Sequence, residues 1–375
     1  MIVKLGSLIS EYSVRNKADE DIPVYSVTNE QGFCTGYFSK EVASQDRTTY
    51  KIVPRGCFAY NPSRINVGSV DVQECEDRVI VSPLYVVFSV DEKLNRRYLL
   101  HYLKSDITLT YIKAYASGSV RDNLKFSILK DFPINLPSAE EQEQIVATLD
   151  GIEHLIALRK EELASLDELV KSRFIELFGT EAELDRWSCC TIGDVADVCV
   201  GVVIKPTQYY TDKGVPAFRS LNIGEMHVKD ADWVYFTEEG HQKNQKSVIR
   251  KNDVLVVRSG APGTACVATE KYEGYNAVDI IIAHPDNSKV NSVFLAAYTN
   301  MPHGMTQIRE KTGGAAQQHF NVGGYKAMRL IMPPMELQEQ FATFVEQTDK
   351  SKLAVQKALE ELEILKKSLM QQYFG

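Results

Sequence analysis

The feature that most constrains the fold is the stretch 138–179, which contains no proline and, before its last residue, only one glycine, Gly151. Its apolar residues recur at spacings of three and four, a pattern typical of a coiled-coil seam rather than of an ordinary surface helix. Ser138 and Glu141 form a capping-box pattern that predicts the helix start, and Gly179 predicts its end. At 1.5 Å per residue this helix would be roughly 60 Å long. The predicted seam positions are Ile145, Leu149, Ile152, Ile156, Leu163, Leu166, Val170 and Leu177.

The same pattern returns 196 residues later without a gap, so that Pro137 corresponds to Pro333 and Phe178 to Phe374. The second copy, 334–375, is more polar along its seam and lacks the serine cap. Neither helix can bury its apolar stripe alone, and each is the nearest partner for the other. We therefore predict a pair of long antiparallel coiled-coil helices. The polar residues that interrupt the seams are interpreted as register-setting or partner-facing: Arg159, Arg173, Lys352 and Lys366.

The net charge of −8 argues at first against a nucleic-acid partner, because DNA affinity depends on Lys and Arg. The two helical segments carry essentially all of this acidic excess, with 10 acidic and 4 basic residues in 138–179 and 7 and 5 in 334–375. The segments 1–137 and 180–333 are close to neutral. This distribution is compatible with DNA held at the two neutral segments and kept away from the acidic helices.

Composition places the chain among globular proteins with more than one domain. No apolar run approaches the 18 residues of a membrane span, and the N-terminus lacks the pattern of a signal peptide, so we expect no membrane association. Seven cysteines occur without the spacing of a metal site. Free thiols in a reducing cytoplasm are the expectation.

The sequence patterns of the two neutral segments predict mixed α/β domains. In 1–137, strands are predicted at 22–27, 50–53, 57–60 and 79–90, because these runs are rich in β-branched and aromatic residues. Short helices are predicted at 98–104 and 107–115, and an extended segment at 132–137 leads into the first long helix. The segment 180–333 repeats this order. The sequence therefore predicts an α+β fold with a pseudo-two-fold internal repeat: domains at 1–137 and 180–333, and helices at 138–179 and 334–375.

Neither domain shows a credible catalytic constellation. Asn61-Pro62-Ser63-Arg64 begins like the motif with which amino-methyltransferases hold a flipped base, but the second proline and the aromatic residue are missing. The glycine-bearing run 258–265 lacks the lysine of a phosphate-binding loop and the spacing of a dinucleotide site. We predict no catalytic residue, no metal site and no cofactor in this chain.

Polar loops in matching places of the two repeats are better candidates for binding. The loops 117–124 and 313–320 begin with glycine or serine and contain the side chains that read base edges, Arg for guanine and Asn or Gln for adenine. A solvated turn is the alternative interpretation of each loop taken alone. In the first domain the candidate DNA-binding residues are Arg121, foremost, then Asn123, Lys125, Asn61 and Arg64. In the second they are Gln317, Gln318, His319, Arg258, Arg219 and Asn222.

The order of these motifs, found twice, resembles the specificity subunit of Type I restriction-modification systems. The resemblance rests on KLGSL (4–8) or TIGDV (191–195), a central FAYNPSRINVGSV (58–70) or LVVRSGAPGTA (255–265), a glycine-led loop, and the entry PPMELQEQ (333–340) into a long helix. It implies that each globular domain is a target recognition domain that reads one half of a split site in double-stranded DNA. It also implies that the helices set the spacing and dock methyltransferase subunits, two per chain, which carry S-adenosylmethionine and methylate adenine. Restriction subunits would join that assembly.

The loop sequences differ between the repeats, which predicts two different half-sites and an asymmetric target. The near-neutral domains predict weak DNA binding by this chain alone, with the methyltransferase subunits supplying many phosphate contacts. The alternative is a tandem-repeat scaffold whose domains bind proteins, with the helices as a spacer. It predicts no sequence-dependent DNA contact in any complex.

Overall fold

A computed structural model describes residues 1–36, 47–116, 123–312 and 319–375. The chain divides into two compact units, the first formed by 1–161 and 356–375 and the second by 162–355. Both long helices therefore contribute residues to each unit. The boundaries predicted from sequence separate globular from helical segments, whereas each unit combines one globular segment with parts of both helices.

The first unit is built from short strands, short helices and the beginning of a long helix. Its strands are β1 (Ile2–Lys4), β2 (Ile9–Glu11), β3 (Ser26–Thr28), β4 (Gly32–Cys34), β5 (Lys51–Pro54), β6 (Phe58–Tyr60), β7 (Val70–Val72), β8 (Arg78–Val81), β9 (Val86–Val90) and β10 (Pro133–Asn135). Its helices are α1 (Arg96–Lys104), α2 (Asp106–Ala116), α3 (Phe126–Leu129) and the first half of α4 (Ala139–Phe178). The predicted strand 79–90 is wrong as one element, because a turn closed by the Tyr85 N–H and the Ser82 carbonyl oxygen divides it into β8 and β9.

The second unit repeats this order. Its strands are β11 (Cys189–Thr191), β12 (Ala196–Val200), β13 (Tyr210–Thr211), β14 (Val215–Phe218), β15 (Val234–Phe236), β16 (Val254–Val257), β17 (Ala265–Val267), β18 (Asn276–Ala277), β19 (Ile280–Pro285) and β20 (Arg329–Ile331). Its helices are α5 (Ile192–Val195), α6 (Glu238–Lys243), α7 (Ser292–Asn300), α8 (Pro302–Thr312), α9 (Val322–Lys326) and part of α10 (Met335–Phe374).

The main sheets of the two units have the same topology. In the first unit the order of the four-stranded antiparallel sheet is β2-β9-β6-β7, and in the second it is β12-β19-β16-β17. A separate two-stranded pair closes each globular segment, β1 with β10 and β11 with β20. The internal repeat predicted from sequence is confirmed at the level of strand order.

Helix α4 begins and ends where its sequence predicts. The Glu141 carboxylate accepts hydrogen bonds from the backbone N–H and the hydroxyl of Ser138, both at 2.9 Å, and the Glu141 N–H donates to the Ser138 Oγ at 3.2 Å. Gly179 has a φ of +88°, the left-handed conformation that glycine adopts at little cost after a helix. The reciprocal capping box is therefore confirmed.

Within each unit the parts of α4 and α10 run antiparallel. In the first unit, Glu153 pairs with Lys366 at 2.7 Å and Lys160 with Glu363 at 3.8 Å, so residue numbers rise on one helix as they fall on the other. In the second unit, Lys352 lies 2.6 Å from Asp167, so two of the predicted polar seam residues, Lys352 and Lys366, form ion pairs between the helices.

The helices are anchored by large aromatic side chains that the seam pattern did not include. In the second unit, Phe174 and Phe178 are fully buried and pack on Phe294 and Phe341. In the first unit, Phe374 packs on Tyr98 with ring centroids 5.1 Å apart. Each globular core thus receives the last aromatic residue of one long helix.

None of the helices in the described parts of the chain combines the length and apolar character that crossing a membrane requires.

Candidate DNA interface

In the first unit, the loop after β6 is a preformed turn. The Asn61 Oδ1 accepts hydrogen bonds from the Ser63 N–H at 3.1 Å and the Ser63 hydroxyl at 2.9 Å. The Asn61 carbonyl oxygen accepts from the N–H groups of Arg64 and Ile65. Asn61 therefore shapes the turn, and Arg64 stands exposed on it.

A second candidate segment is fixed against this turn. Leu124 is buried, its N–H donates to the Pro62 carbonyl oxygen at 3.0 Å, and its own carbonyl accepts from the Tyr60 hydroxyl at 3.1 Å. Asn123 and Lys125, on either side of Leu124, are exposed. The structure thus brings Asn123 and Lys125 beside the loop of Asn61 and Arg64, while Arg121 lies outside the described residues.

A β-hairpin completes the surface of the first unit. Strands β3 and β4 pair, and the turn between them borders a cleft of about 420 Å³. This hairpin was not among the segments predicted to bind DNA, although a Ser-Val-Thr strand followed by Asn-Glu-Gln-Gly is a recognisable hairpin pattern. The cleft is lined by 26–31, Asn61, Arg64, Val67, Ser69 and Tyr85.

In the first unit the backbone hydrogen bond between Leu124 and Pro62 joins the two candidate loops, and we call it the backbone clamp. The second unit has the same clamp. The Phe320 N–H donates to the Arg258 carbonyl oxygen at 3.0 Å, which is the Leu124–Pro62 bond shifted by 196 residues at both ends. His319, the counterpart of Asn123, is exposed, and its Nδ1 lies 2.8 Å from the Ser259 hydroxyl. The two candidate loops of this unit therefore also meet, while Gln317 and Gln318 lie outside the described residues.

The Arg258 side chain makes its contacts within the protein. Its side chain is only 16% exposed, its Nε donates to the Phe320 carbonyl oxygen at 3.1 Å, and its guanidinium pairs with Asp279. The guanidinium therefore stabilises the contact between the loop of Arg258 and the segment of Phe320. In this structure the Arg258 side chain positions the loop, and its contact with DNA stays a prediction.

Arg219 and Asn222 form a turn after β14, in a different sheet from the strand that precedes Arg258. Asn222 is fully buried, its Oδ1 accepts from the Arg219 N–H at 2.9 Å, and its Nδ2 donates to the Ala231 carbonyl oxygen at 2.7 Å. The half-buried Arg219 donates to the carbonyl oxygen of Asp232. These two side chains therefore build the turn. Asn222 is fully buried in this structure, and its assignment to DNA binding stays a prediction.

A polar cluster in the first unit has the composition of a metal site but the bonding of an ion-pair network. Ligand atoms of His101, Asp150 and Glu153 lie within 4.8 Å of one another. Arg97, however, contacts Asp150 at 2.9 Å and Lys366 contacts Glu153 at 2.7 Å, so cations already balance both carboxylates. We assign this cluster to attachment of α1 to the long helices.

The pKa values of this cluster are consistent with that assignment. Burial lowers the pKa of His101. Burial alone would raise the pKa of Asp150, but hydrogen bonds from Arg97 and His101 outweigh it and lower that pKa. The pKa of Glu153 is lowered in the same way, against burial, by Lys366. The carboxylates are thus held ionised.

Comparison with known families gives one match over most of the chain. The family described as Type I restriction modification DNA specificity domain matches residues 6–168 and 185–364, one segment for each repeat.

Two curated relatives are specificity subunits. The chain is 23% identical over 278 residues to the Type I restriction enzyme MjaIX specificity subunit of Methanocaldococcus jannaschii, an alignment that covers 66% of this chain and 61% of the relative. It is 23% identical over 317 residues to the EcoBI specificity subunit of Escherichia coli, covering 76% and 66%. The chain spans less than two thirds of the length of these relatives.

Two solved structures share the fold. One, described as showing complex assembly and conformational transition of the type I R-M system, matches with a TM-score of 0.61 at 17% identity over 100% of this chain and 97% of that one. The S subunit of a Type I restriction-modification system from M. genitalium matches with a TM-score of 0.56 at 15% identity, over 100% and 96%. At these identities the likeness establishes the fold alone.

Proposed function

The chain belongs to the Type I restriction modification DNA specificity family, and from this premise we propose that it is the non-catalytic subunit that selects the DNA site of a restriction-modification complex. Each repeat would read one half of a bipartite double-stranded site. The side chains that differ between the repeats would make the two half-sites different and the whole site asymmetric.

The repeated backbone clamp carries this proposal. In each unit a buried residue, Leu124 or Phe320, ties the second candidate loop to the first with the same 3.0 Å hydrogen bond. The scaffold is the same in the two repeats, while the exposed side chains on it differ: Asn123 and Lys125 in one, His319 and Asn321 at the corresponding positions of the other. A rigid scaffold that presents variable polar loops suits recognition of two different ligands of one chemical class.

The long helices are proposed to set the distance between half-sites and to dock partner subunits. Each has 40 residues, which at 1.5 Å per residue is roughly 60 Å. In the first unit, two ion pairs join the helices, Glu153–Lys366 and Lys160–Glu363. Between these two ion pairs, large apolar side chains of both helices are exposed. These side chains are Leu155, Leu158, Ile364 and Leu365. An exposed apolar group on an otherwise acidic helix pair supports a protein partner there.

The partners proposed are two methyltransferase subunits per chain, which bring S-adenosylmethionine and transfer its methyl group to adenine N6, and restriction subunits. This chain would supply no catalytic group. It would be expected in the cytoplasm, with the DNA.

Coexpression tests the proposal. The full chain is produced with the methyltransferase subunit encoded beside it, and N6-methyladenine is mapped across the host DNA by sequencing. We expect one bipartite asymmetric motif. Replacing Arg64 and Lys125 by alanine should change one half of the motif, and His319→Ala should change the other.

The matched control is Lys93→Ala, an exposed charge in the turn before α1, which should leave the motif unchanged. An assembled complex that methylates no motif would contradict the proposal and favour the scaffold interpretation.

A further inference from the structure

The tip of the β3–β4 hairpin in the first unit is polar and exposed. Its three residues, Asn29, Glu30 and Gln31, are all exposed, whereas Val27, Thr28 and Phe33 on the flanking strands are buried. Within the turn, the Gln31 N–H donates to the Thr28 Oγ1 at 3.0 Å. The tip therefore has a defined backbone conformation with its side chains free to meet a ligand.

The hairpin is fixed to the sheet by buried polar contacts. The Ser69 hydroxyl donates to the Val27 carbonyl oxygen at 2.7 Å, and the Val27 N–H donates to the Tyr85 hydroxyl at 3.3 Å. On the other strand, the Phe33 N–H donates to the Asp71 carboxylate at 3.0 Å. Gly32 has a φ of +61°, and a Cβ there would lie 1.8 Å from the same carboxylate, so the close approach requires glycine. A hairpin held in this way is preorganised, which lowers the entropic cost of binding.

The tip faces the loop that carries the DNA-binding candidates. Asn29, Glu30 and Gln31 line the same cleft as Asn61 and Arg64. Gly68, between the cleft residues Val67 and Ser69, has a φ of +90°, and a side chain placed there would be in van der Waals contact with the Asn29 Oδ1. The hairpin tip and the loop thus present one continuous polar surface.

The chemistry of the tip favours base edges over phosphates. The amides of Asn29 and Gln31 each offer a donor and an acceptor, the pattern that pairs with adenine in the major groove. The Glu30 carboxylate only accepts hydrogen bonds, so it repels a phosphate and favours a base with an exocyclic amino group, adenine or cytosine.

We propose that Asn29, Glu30 and Gln31 are a base-reading element of the first repeat, specific for a base that presents an exocyclic amino group in the major groove, adenine or cytosine. This inference rests on the proposed function and adds a reading element that lies outside the loops selected from sequence. It assigns the tip to the same half-site as Asn61, Arg64, Asn123 and Lys125.

The test uses the full chain in its complex with the methyltransferase subunit, and the readout is the methylated motif at each base position. Glu30→Gln keeps the size of the side chain but adds a donor, so one position of the first half-site should newly accept guanine or thymine. Asn29→Ala with Gln31→Ala should relax discrimination in that half-site on the order of tenfold or more. The second half-site should stay unchanged in every variant.

The control is Glu92→Gln, which removes an exposed carboxylate in the turn before α1 and should leave both half-sites intact. Complex assembly is checked for each variant by size-exclusion chromatography. If Asn29→Ala with Gln31→Ala impairs assembly, the neutral polar pair Asn29→Ser with Gln31→Ser replaces it, and discrimination should fall in the same half-site. An unchanged motif in an assembled Glu30→Gln complex would overturn the inference while leaving the proposed function standing. A wild-type complex without any motif would instead refute the proposed function.

Discussion

The Nδ1 of His284 lies 2.6 Å from the Oδ1 of Asp253 in the second unit; Asp253 is buried at 3% exposure, and the side chain of His284 is 13% exposed. His284 is on β19, Asp253 directly precedes β16, and the Cys199 sulfur lies 3.7 Å from the other ring nitrogen. The hydrogen bond to Asp253 raises the pKa of His284 to about 9, and Cys199 contributes to this against the opposing effect of burial. The second unit therefore contains an imidazolium at neutral pH.

This pair predicts a loss of stability at alkaline pH. The folded-state pKa is raised above the ordinary 6.5, so the stabilisation is fully present below pH 6.5 and is lost as pH rises through about 9. We expect a decrease of about 1–3 kcal/mol in the free energy of unfolding across this window. In His284→Gln that pH-dependent decrease should be absent.

Urea denaturation followed by tryptophan fluorescence measures this effect. Both tryptophans of the chain, Trp187 and Trp233, are in the second unit, so the signal reports on that unit. His319→Gln, at an exposed position, is the control and should retain the wild-type pH dependence. If His284→Gln retains it as well, the pair does not hold the proton.

The ion-pair network of the first unit predicts a difference between the repeats. At the positions 196 residues after Arg97 and His101 the second unit has Val293 and Ala297. The two basic side chains that contact Asp150 from α1 therefore have no basic counterparts on α7. Asp150→Asn should therefore destabilise the first unit by about 1 kcal/mol, a modest value because the carboxylate is 36% exposed and partly screened.

Hydrogen exchange of peptides from α1 measures this change, and faster exchange is expected in Asp150→Asn. Glu346→Gln is the matched control, because Glu346 occupies the corresponding place and is exposed. Its peptides from α7 should exchange as in the wild type. Equal effects of the two substitutions would show that the network adds nothing specific.

A buried glutamine occupies the same place in each long helix, and we expect its replacement to lower stability in both cases. The Gln142 Oε1 accepts from the Asn95 N–H at 2.7 Å, and its Nε2 donates to the carbonyl oxygens of Lys93 and Pro137. The Gln338 Oε1 accepts from the Asn291 N–H at 2.9 Å, and its Nε2 donates to Pro333. Both glutamines are 1% exposed.

Gln142→Leu and Gln338→Leu should each cost roughly 1–3 kcal/mol or more, because buried backbone groups lose their partners. Thermal unfolding followed by circular dichroism checks this. Gln144→Leu, at an exposed position two residues from Gln142, should change stability by about 0.5 kcal/mol or less. Substitutions that leave the melting curves superimposed would mean that water replaces the amide in both places.

Local sequence patterns predicted the parts of the fold that local physics determines. The bounds of α4 follow from the Ser138–Glu141 capping box and Gly179, since a cap needs only neighbouring residues. The division between β8 and β9 was not predicted, because the apolar run 79–90 continues through the turn and hides it.

The candidate site was predicted less completely, and the reason is long-range pairing. An arginine in a polar loop, such as Arg258, is expected to be exposed. Its partners, Asp279 and the carbonyl oxygen of Phe320, are distant in the sequence. Asn222 is a different case, because its partners, Arg219 and Ala231, are near in the sequence but a polar composition does not show that its amide is buried. Polar composition predicts where a loop lies, but not which of its side chains form hydrogen bonds within the protein.

The last prediction concerns the aromatic anchor of the long helix in the second unit. The Phe174 ring is fully buried, and its centroid lies 4.8 Å from that of Phe178, 5.4 Å from that of Phe341 and 5.8 Å from that of Phe294. Phe174→Ala should cost about 3–5 kcal/mol, because the cavity removes contacts on three sides.

The fluorescence of Trp187 provides a local readout, since its Nε1 donates to the Phe178 carbonyl oxygen at 2.9 Å at the end of α4. In Phe174→Ala the urea midpoint followed by this signal should fall markedly. Ile175→Ala, the adjacent side chain on the helix but 40% exposed, removes a comparable apolar group from the surface and should shift the midpoint far less. Similar shifts for the two substitutions would mean that helix propensity, rather than the aromatic cluster, determines how firmly α4 is attached to the second globular core.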